Sequence, residues 1–142
     1  AKGAVLAASA EELAASVDHV ITCLPSPVVS ERVLRAILPR MRPGASWVEM
    51  STLGRDEVLK LAAVAAAAGV RMMELPVTGG VHLAHQGKIT MLAGGDADLY
   101  ALHLKAMQAM GDRIFHIGPL GSSSIIKVIT NMLAFIHLKA TS

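Results

Sequence analysis

Lys127 and Asn131 stand four residues apart in a stretch that is otherwise apolar around the lysine (Ile125, Ile126, Val128, Ile129). On a helix, that spacing brings both side chains to one face. An ammonium and an amide projecting together can hold a substrate oxygen, the lysine giving its proton to a developing alkoxide while the amide orients the substrate. Burial would lower the lysine pKa toward a usable range. The same spacing also fits a lysine snorkelling from a helix end, with Asn131 packed between helices. Thr78-Gly79-Gly80 is a second candidate, because its glycines expose backbone amides and Thr78 adds a hydroxyl donor, a set suited to a carboxylate. Leu24-Pro25-Ser26 and Ser51-Thr52 are a third and fourth. Each of these three segments alone reads equally well as an ordinary turn, since Gly, Pro and Ser dominate turns. Their recurrence at successive strand ends favours chemistry, because open α/β sheets gather ligands beyond the carboxyl ends of their strands.

The remaining candidates are weaker. His82 and His85 lie three apart, but no carboxylate or cysteine is near in sequence and two ligands are too few, so no metal site is expected. Cys23 is the only cysteine. It excludes an internal disulfide framework and a cysteine-based zinc site, fits a reducing, cytoplasmic setting, and with apolar neighbours is expected to be a packed core thiol. The eight methionines fill an aromatic-poor core.

The elements that position these residues follow from periodicity and punctuation. Ser9, three positions before Glu12, is arranged to cap a short helix running to about Ser16. Asp18 to Leu24 is a β-rich run closed by Pro25, read as a buried strand. Pro27 opens a helix through Leu38 with its apolar stripe at Val29, Val33, Leu34, Ile37 and Leu38, Arg35 and Arg40 facing outward. Pro43-Gly44 turns the chain into a strand over Trp47-Val48-Glu49-Met50, ending at Ser51-Thr52. An alanine-rich helix from Arg55 to Ala68 is stopped by Gly69, and Val70 to Leu75 returns to strand. Pro76 to Gly80 interrupts the pattern, Ile89 to Ala93 resumes it, and Asp96 caps a helix to Met110. Arg113 to Ile117 is a last strand before Gly118-Pro119-Leu120-Gly121, and a helix from Ser122 or Ser123 runs to the end. Alternating strands and helices predict an α/β fold with a parallel or mostly parallel sheet covered on both faces.

The chain has 142 residues, 53% hydrophobic, with 13 basic and 11 acidic side chains and a formal charge of +2. That excludes disorder and suits one compact domain. No basic cluster with interleaved aromatics offers a footprint for nucleic acid. The most apolar windows, Leu61 to Val70 and Ile125 to Leu138, are too short or too interrupted to span a bilayer, so no membrane association is expected.

Four segments, in order, resemble the β-hydroxyacid dehydrogenases, the 3-hydroxyisobutyrate dehydrogenase and tartronate semialdehyde reductase type. Ile21-Thr22-Cys23-Leu24-Pro25-Ser26 is similar to that family's strand and loop beside the nicotinamide ribose. Glu49-Met50-Ser51-Thr52 is similar to its next cofactor-side strand end. Pro76-Val77-Thr78-Gly79-Gly80, followed by Gly87, Thr90, Gly94 and Gly95, is similar to its substrate-binding signature, and Gly118-Pro119-Leu120-Gly121 with Lys127 and Asn131 to its catalytic helix. The resemblance implies a Rossmann-type doubly wound sheet and NAD or NADP as cofactor, held by Cys23, Leu24, Pro25, Ser51 and Thr52. It implies Lys127 as general acid or base, with Thr78, Gly79, Gly80 and Asn131 holding a small carboxylate-bearing substrate. Hydride passes directly between substrate carbon and nicotinamide, without a metal. It further implies a full-length homo-oligomer, dimer or tetramer.

The chain departs from the family pattern at Thr78 (usually serine), Glu74 (commonly aspartate), Ser123 (usually glycine) and Thr130 (commonly asparagine), which bears on substrate size and cofactor fit. The family's opening Gly-rich turn, whose amides bind the pyrophosphate, is not among these residues. An internal fragment is therefore expected: residues 1–118 as the C-terminal part of an NAD(P)-binding domain and 119–142 as the start of a long helix toward an all-helical domain. In isolation such a fragment is expected to be inactive and poorly soluble. Two alternatives remain. A decarboxylating 6-phosphogluconate-like dehydrogenase shares the lysine and a Gly-Gly loop, although it usually has histidine where Thr130 stands. A non-catalytic Rossmann module binding a nucleotide or a partner shares the fold without the reaction. Imine reductases share the scaffold too, but usually lack the lysine.

Overall fold

The computed structural model describes Gly3 to Ala140, so the sequence reading of Ala1-Lys2 and of the helix end at Thr141-Ser142 lies outside the described residues. Helix α1 (Ala10–Ser16) starts where expected: Ser9 Oγ accepts the Glu12 N–H at 3.1 Å. The Glu12 carboxylate reaches back to the Ala8 N–H at 3.0 Å, so two amides that the first turn leaves free are satisfied. Strand β1 (His19–Thr22) then leads into α2 (Pro27–Ile37), with Pro27 in the first turn and Ser26 Oγ accepting the Val29 N–H. After a 3-10 turn at Leu38–Arg40 come β2 (Ser46–Glu49), α3 (Arg55–Ala67) and β3 (Arg71–Glu74). Gly69 at φ +72° carries the chain from α3 into β3, a conformation that favours glycine.

β1, β2 and β3 are parallel and in register, Thr22 beside Glu49 and Glu49 beside Glu74. Alternation along them sends Val20, Trp47 and Met72 to one face, where residues of α1, α2 and α3 cover them. Val48 and Met73 go to the other face, against Leu99 and Met107 of α5 (Ala97–Met110). Helices thus cover both faces of an α/β sheet, the arrangement expected.

The sheet is mostly parallel as expected, but beyond β3 it becomes mixed. Leu75-Pro76 interrupts the strand, as expected, before β4 (Val77–Thr78), and β5 (Ile89–Gly94) runs antiparallel to both β3 and β4. The reversal follows from the connection, which is only the short helix α4 (Gly80–His85) and a turn at Gly87. A parallel return needs a crossover of about a dozen residues or more. α4 itself was not foreseen, its residues carrying no apolar stripe. β6 (Gly111–Gly118) lies parallel to β5, as the longer crossover through α5 permits. Asp96 occupies the cap position of α5, but its side chain makes no capping bond; its backbone carbonyl accepts the Tyr100 N–H. β1 is shorter than expected and is an edge strand, with only Val20 buried, so Cys23 is exposed and not a core thiol. No helix is long and apolar enough to cross a membrane among the described residues, and they contain no cluster of metal-ligating side chains.

The last helix, α6 (Ser122–Ala140), is fastened at its first turn. The Glu74 carboxylate, 1% exposed, accepts the Ser123 N–H at 3.0 Å and the Ser124 N–H at 3.1 Å, and the Ser124 hydroxyl as well. A carboxylate at this position satisfies free helix amides and lies at the positive end of the helix dipole. Gly94 makes room for it: a Cβ there would overlap the Glu74 carboxylate and come within 2.8 Å of Ser123 Oγ. At the opposite end of the sheet, fully buried Ser46 Oγ sits between His19 Nδ1 at 2.8 Å and His103 Nε2 at 2.7 Å. Burial, His19 and Arg71 lower the pKa of His103.

Two outcomes follow. Gly94→Ala should lower stability by about 1–3 kcal/mol in urea unfolding, the usual cost of overpacking. Because the folded state resists protonation of His103, the unfolded chain binds more protons once the pH falls below the ordinary imidazole value of 6.5. The urea midpoint should therefore drop between pH 7.5 and 5.5, and drop less in His103→Leu.

Candidate active site

Three buried positions of α6, Ser123, Ser124 and Lys127, face inward on successive turns, with half-buried Asn131 continuing the line. Lys127 is 7% exposed. It does not snorkel. Burial alone moves its pKa down from the ordinary 10.5, because the ammonium loses hydration.

Lys127 and Asn131 border a cavity of about 420 Å³ whose other walls are Val77, Thr78, Gly79, Gly80, Val81, Ala84 and Ile89. The structure therefore gathers all five residues expected on the substrate side, from β4, α4 and α6. Gly79 and Gly80 have φ of +125° and +71°, turning the chain from β4 into α4 in a conformation that side-chain-bearing residues rarely adopt. A Cβ on Gly79 would also meet Leu83 Cδ1 at 2.8 Å. The polar groups on the wall are one amine, one hydroxyl, one carboxamide and the glycine backbone; the rest is apolar. Such a wall can take a small anion with a reactive oxygen.

The five residues expected on the cofactor side form a separate group at the carboxyl ends of β1 and β2 and do not line that cavity. Cys23, Pro25 and Thr52 are exposed, Leu24 is half-buried and Ser51 is buried. Leu24 N–H donates to Ser51 Oγ at 2.6 Å, tying the two loops together. Beneath them lies Glu49, 1% exposed. Its Oε1 accepts the Ser51 N–H at 2.8 Å and the Ser51 hydroxyl, and its Oε2 accepts the Thr22 hydroxyl at 3.0 Å. Trp47 Nε1–H donates to Thr22 Oγ1 at 2.8 Å. The two groups meet through the sheet, where Glu49 and Glu74 are register partners on adjacent strands.

Sequence reasoning names Glu49 only within the Glu49-Met50-Ser51-Thr52 motif and Glu74 only as a departure from a pattern, and gives neither a role. The available signal was a carboxylate inside an apolar strand run, Trp47-Val48-Glu49-Met50 and Met72-Met73-Glu74-Leu75. Acidic residues are almost never fully buried unless something satisfies them.

Several known proteins are similar to this chain. A mouse protein named cytokine-like nuclear factor N-PAC is 33% identical over 135 residues, covering 93% of this chain and 25% of that protein. The NAD-dependent L-serine dehydrogenase of Pseudomonas aeruginosa is 33% identical over 145 residues, covering 100% of this chain and 49% of the enzyme. The solved structure of Mycobacterium tuberculosis 3-hydroxyisobutyrate dehydrogenase with L-serine matches with a TM-score of 0.87 at 30% identity, over 89% of this chain and 44% of that one. The chain spans between a quarter and a half of the length of these relatives. The family model described as the NAD binding domain of 6-phosphogluconate dehydrogenase matches residues 1–118. The chain therefore belongs to the NAD-binding domain family of the 6-phosphogluconate and 3-hydroxyisobutyrate dehydrogenases, the family its four motifs resemble.

Proposed function

We propose that these residues are part of an NAD(P)-dependent oxidoreductase that interconverts a small 3-hydroxyacid and its carbonyl form, of the 3-hydroxyisobutyrate or tartronate semialdehyde type. The observation that carries this reading is the buried Lys127 facing Thr78, Gly79, Gly80 and Asn131 across one small cavity. In this reading residues 1–118 are the nucleotide-binding part and 119–142 begin the helix that leads away from it.

The residues present fit the nicotinamide end of a dinucleotide. They offer two loops at the carboxyl ends of adjacent parallel strands, bound to each other and open at Cys23, Pro25 and Thr52. Bound there, the nicotinamide supplies or accepts the hydride. The protein's own part is the proton and the geometry. Thr78 and the amides of Gly79 and Gly80 hold the substrate carboxylate, and Asn131 orients the reacting oxygen. For carbonyl reduction Lys127 Nζ donates a proton to that oxygen; for oxidation the neutral amine withdraws it. A lysine with full hydration would be charged at neutral pH almost without exception, and burial is what brings the neutral form within reach. The apolar remainder of the wall, Val77, Val81, Ala84 and Ile89, fits a short carbon chain.

The test uses the full-length protein with NAD and NADP against 3-hydroxyisobutyrate, L-serine and glycerate. Turnover with one of these supports the reaction, and Lys127→Ala should lower kcat by about 10²–10⁴ while the protein stays folded. Unchanged turnover in that variant would overturn the mechanism. The likeness to a nuclear factor makes a non-catalytic nucleotide- or partner-binding module the second reading, supported if nucleotide binds and no acid is turned over. The pH profile is a further check. Oxidation should rise with pH through the Lys127 pKa and reduction should fall through it, with the inflection below 10.5. Lys127→Arg should abolish the inflection along with the activity, since a guanidinium does not release its proton in this range.

A further inference from the structure

Glu49 is almost fully buried, with no cation among its hydrogen-bond partners, and all its partners are donors. The direction of each bond is forced. Trp47 Nε1–H can only donate, so Thr22 Oγ1 accepts from it and must send its own proton to Glu49 Oε2. Leu24 N–H can only donate, so Ser51 Oγ accepts from it and must send its own proton to Glu49 Oε1. The Ser51 hydroxyl therefore relays the carboxylate to Leu24 of the β1 loop, while the Thr22 hydroxyl ties it to the end of β1 and to the Trp47 indole. A glutamine there would keep an oxygen acceptor for the Ser51 donors, but its NH₂ would meet Thr22 Oγ1 and turn the hydroxyl proton away, and the charge that strengthens these bonds would be lost.

We propose that Glu49 is the positioning residue of the nucleotide-side loops, holding Leu24 of the β1 loop and Ser51 of the β2 loop in the conformation that receives the nicotinamide end of the cofactor. The inference rests on the reading given above for those loops. Glu49 touches neither substrate nor cofactor. It acts through Ser51 and Thr22, and its removal loosens the pair of loops without touching Lys127, whose helix is fastened by Glu74.

The experiment compares wild type, Glu49→Gln and Ser51→Ala in the full-length protein. Three quantities are read: steady-state KM and kcat, NADH and NADPH binding by fluorescence, and hydrogen exchange at the Leu24 amide. Ser51→Ala removes the Leu24 link and the Ser51 hydroxyl's bond to Glu49 but leaves the bonds to Glu49 from Thr22 and the Ser51 N–H, so the test survives if Glu49→Gln fails to fold. Both variants should raise the nucleotide KM by about tenfold, the scale of one lost charge-assisted relay. In Glu49→Gln, KM for the hydroxyacid and kcat should change by less than about twofold. Leu24 exchange should accelerate while amides of β3 stay protected. An unchanged nucleotide KM with Leu24 still protected overturns the proposal, as does a loss of activity that only follows the folded fraction. If wild type binds nucleotide but oxidises no hydroxyacid, weaker binding by the variants upholds the positioning role while the reaction falls. If wild type binds neither nucleotide, both fall.

Discussion

The clasp between the Glu74 carboxylate and the first turn of α6 is the interaction on which the rest of the structure depends. Taking a carboxylate out of water costs several kcal/mol. Here two backbone amides and a hydroxyl donate to it, each hydrogen bond to a charged group contributing about 1.5–3 kcal/mol, and the helix dipole adds to them. The helix end satisfies the carboxylate, and the carboxylate satisfies the helix end. Lys127 lies one turn further along, so its depth in the protein is set by where the clasp closes. Gly94 and Ser123 show how tightly that point is drawn: the strand yields a side chain so that the helix can carry one.

Beside Glu74, in register on the next strand, Glu49 serves a different group of residues by the same chemistry. The two residues are register partners on strands that lie about 5 Å apart, so two buried carboxylates need donors at neighbouring points of the sheet. Each has its own set, one drawn from α6 and the other from the β1 and β2 loops. The sheet thus keeps two anionic anchors at one level, and one side of the site is fastened to each. This division explains why the cavity at Lys127 and the loops at Leu24 and Ser51 form separate groups that share only a pair of strands.

Much of this was legible in the residues. Helix starts at Ser9 and Pro27 and the α3 stop at Gly69 have local causes, and local causes are visible in sequence. The pairing of Lys127 with Asn131 was visible as spacing, and Thr78-Gly79-Gly80 as turn chemistry. Whether Lys127 is buried was not, because that is decided by Glu74, fifty-three positions away in the chain (127 − 74). The mixed sheet was hidden for a related reason: strand direction depends on the length of a connection, and α4 lacks the apolar periodicity that would reveal it. Cys23 misled because apolar neighbours suggest a core, whereas β1 is an edge and its end is open.

The interruption at Leu75-Pro76 has a consequence for how such a protein can change. Glu74 and Thr78 are on one continuous run of chain, so the clasp and the start of the substrate wall are inherited together. Val81 and Ala84 are not part of that run. They lie on α4, a short helix with no buried residue and with Val81 74% exposed, so their replacement disturbs little else. Selection acting on α4 can reshape the mouth of the cavity while Lys127 keeps its setting. In evolutionary terms, the fold separates an adjustable wall of the cavity from a fixed one, and the boundary between them is the pair of glycines at 79 and 80.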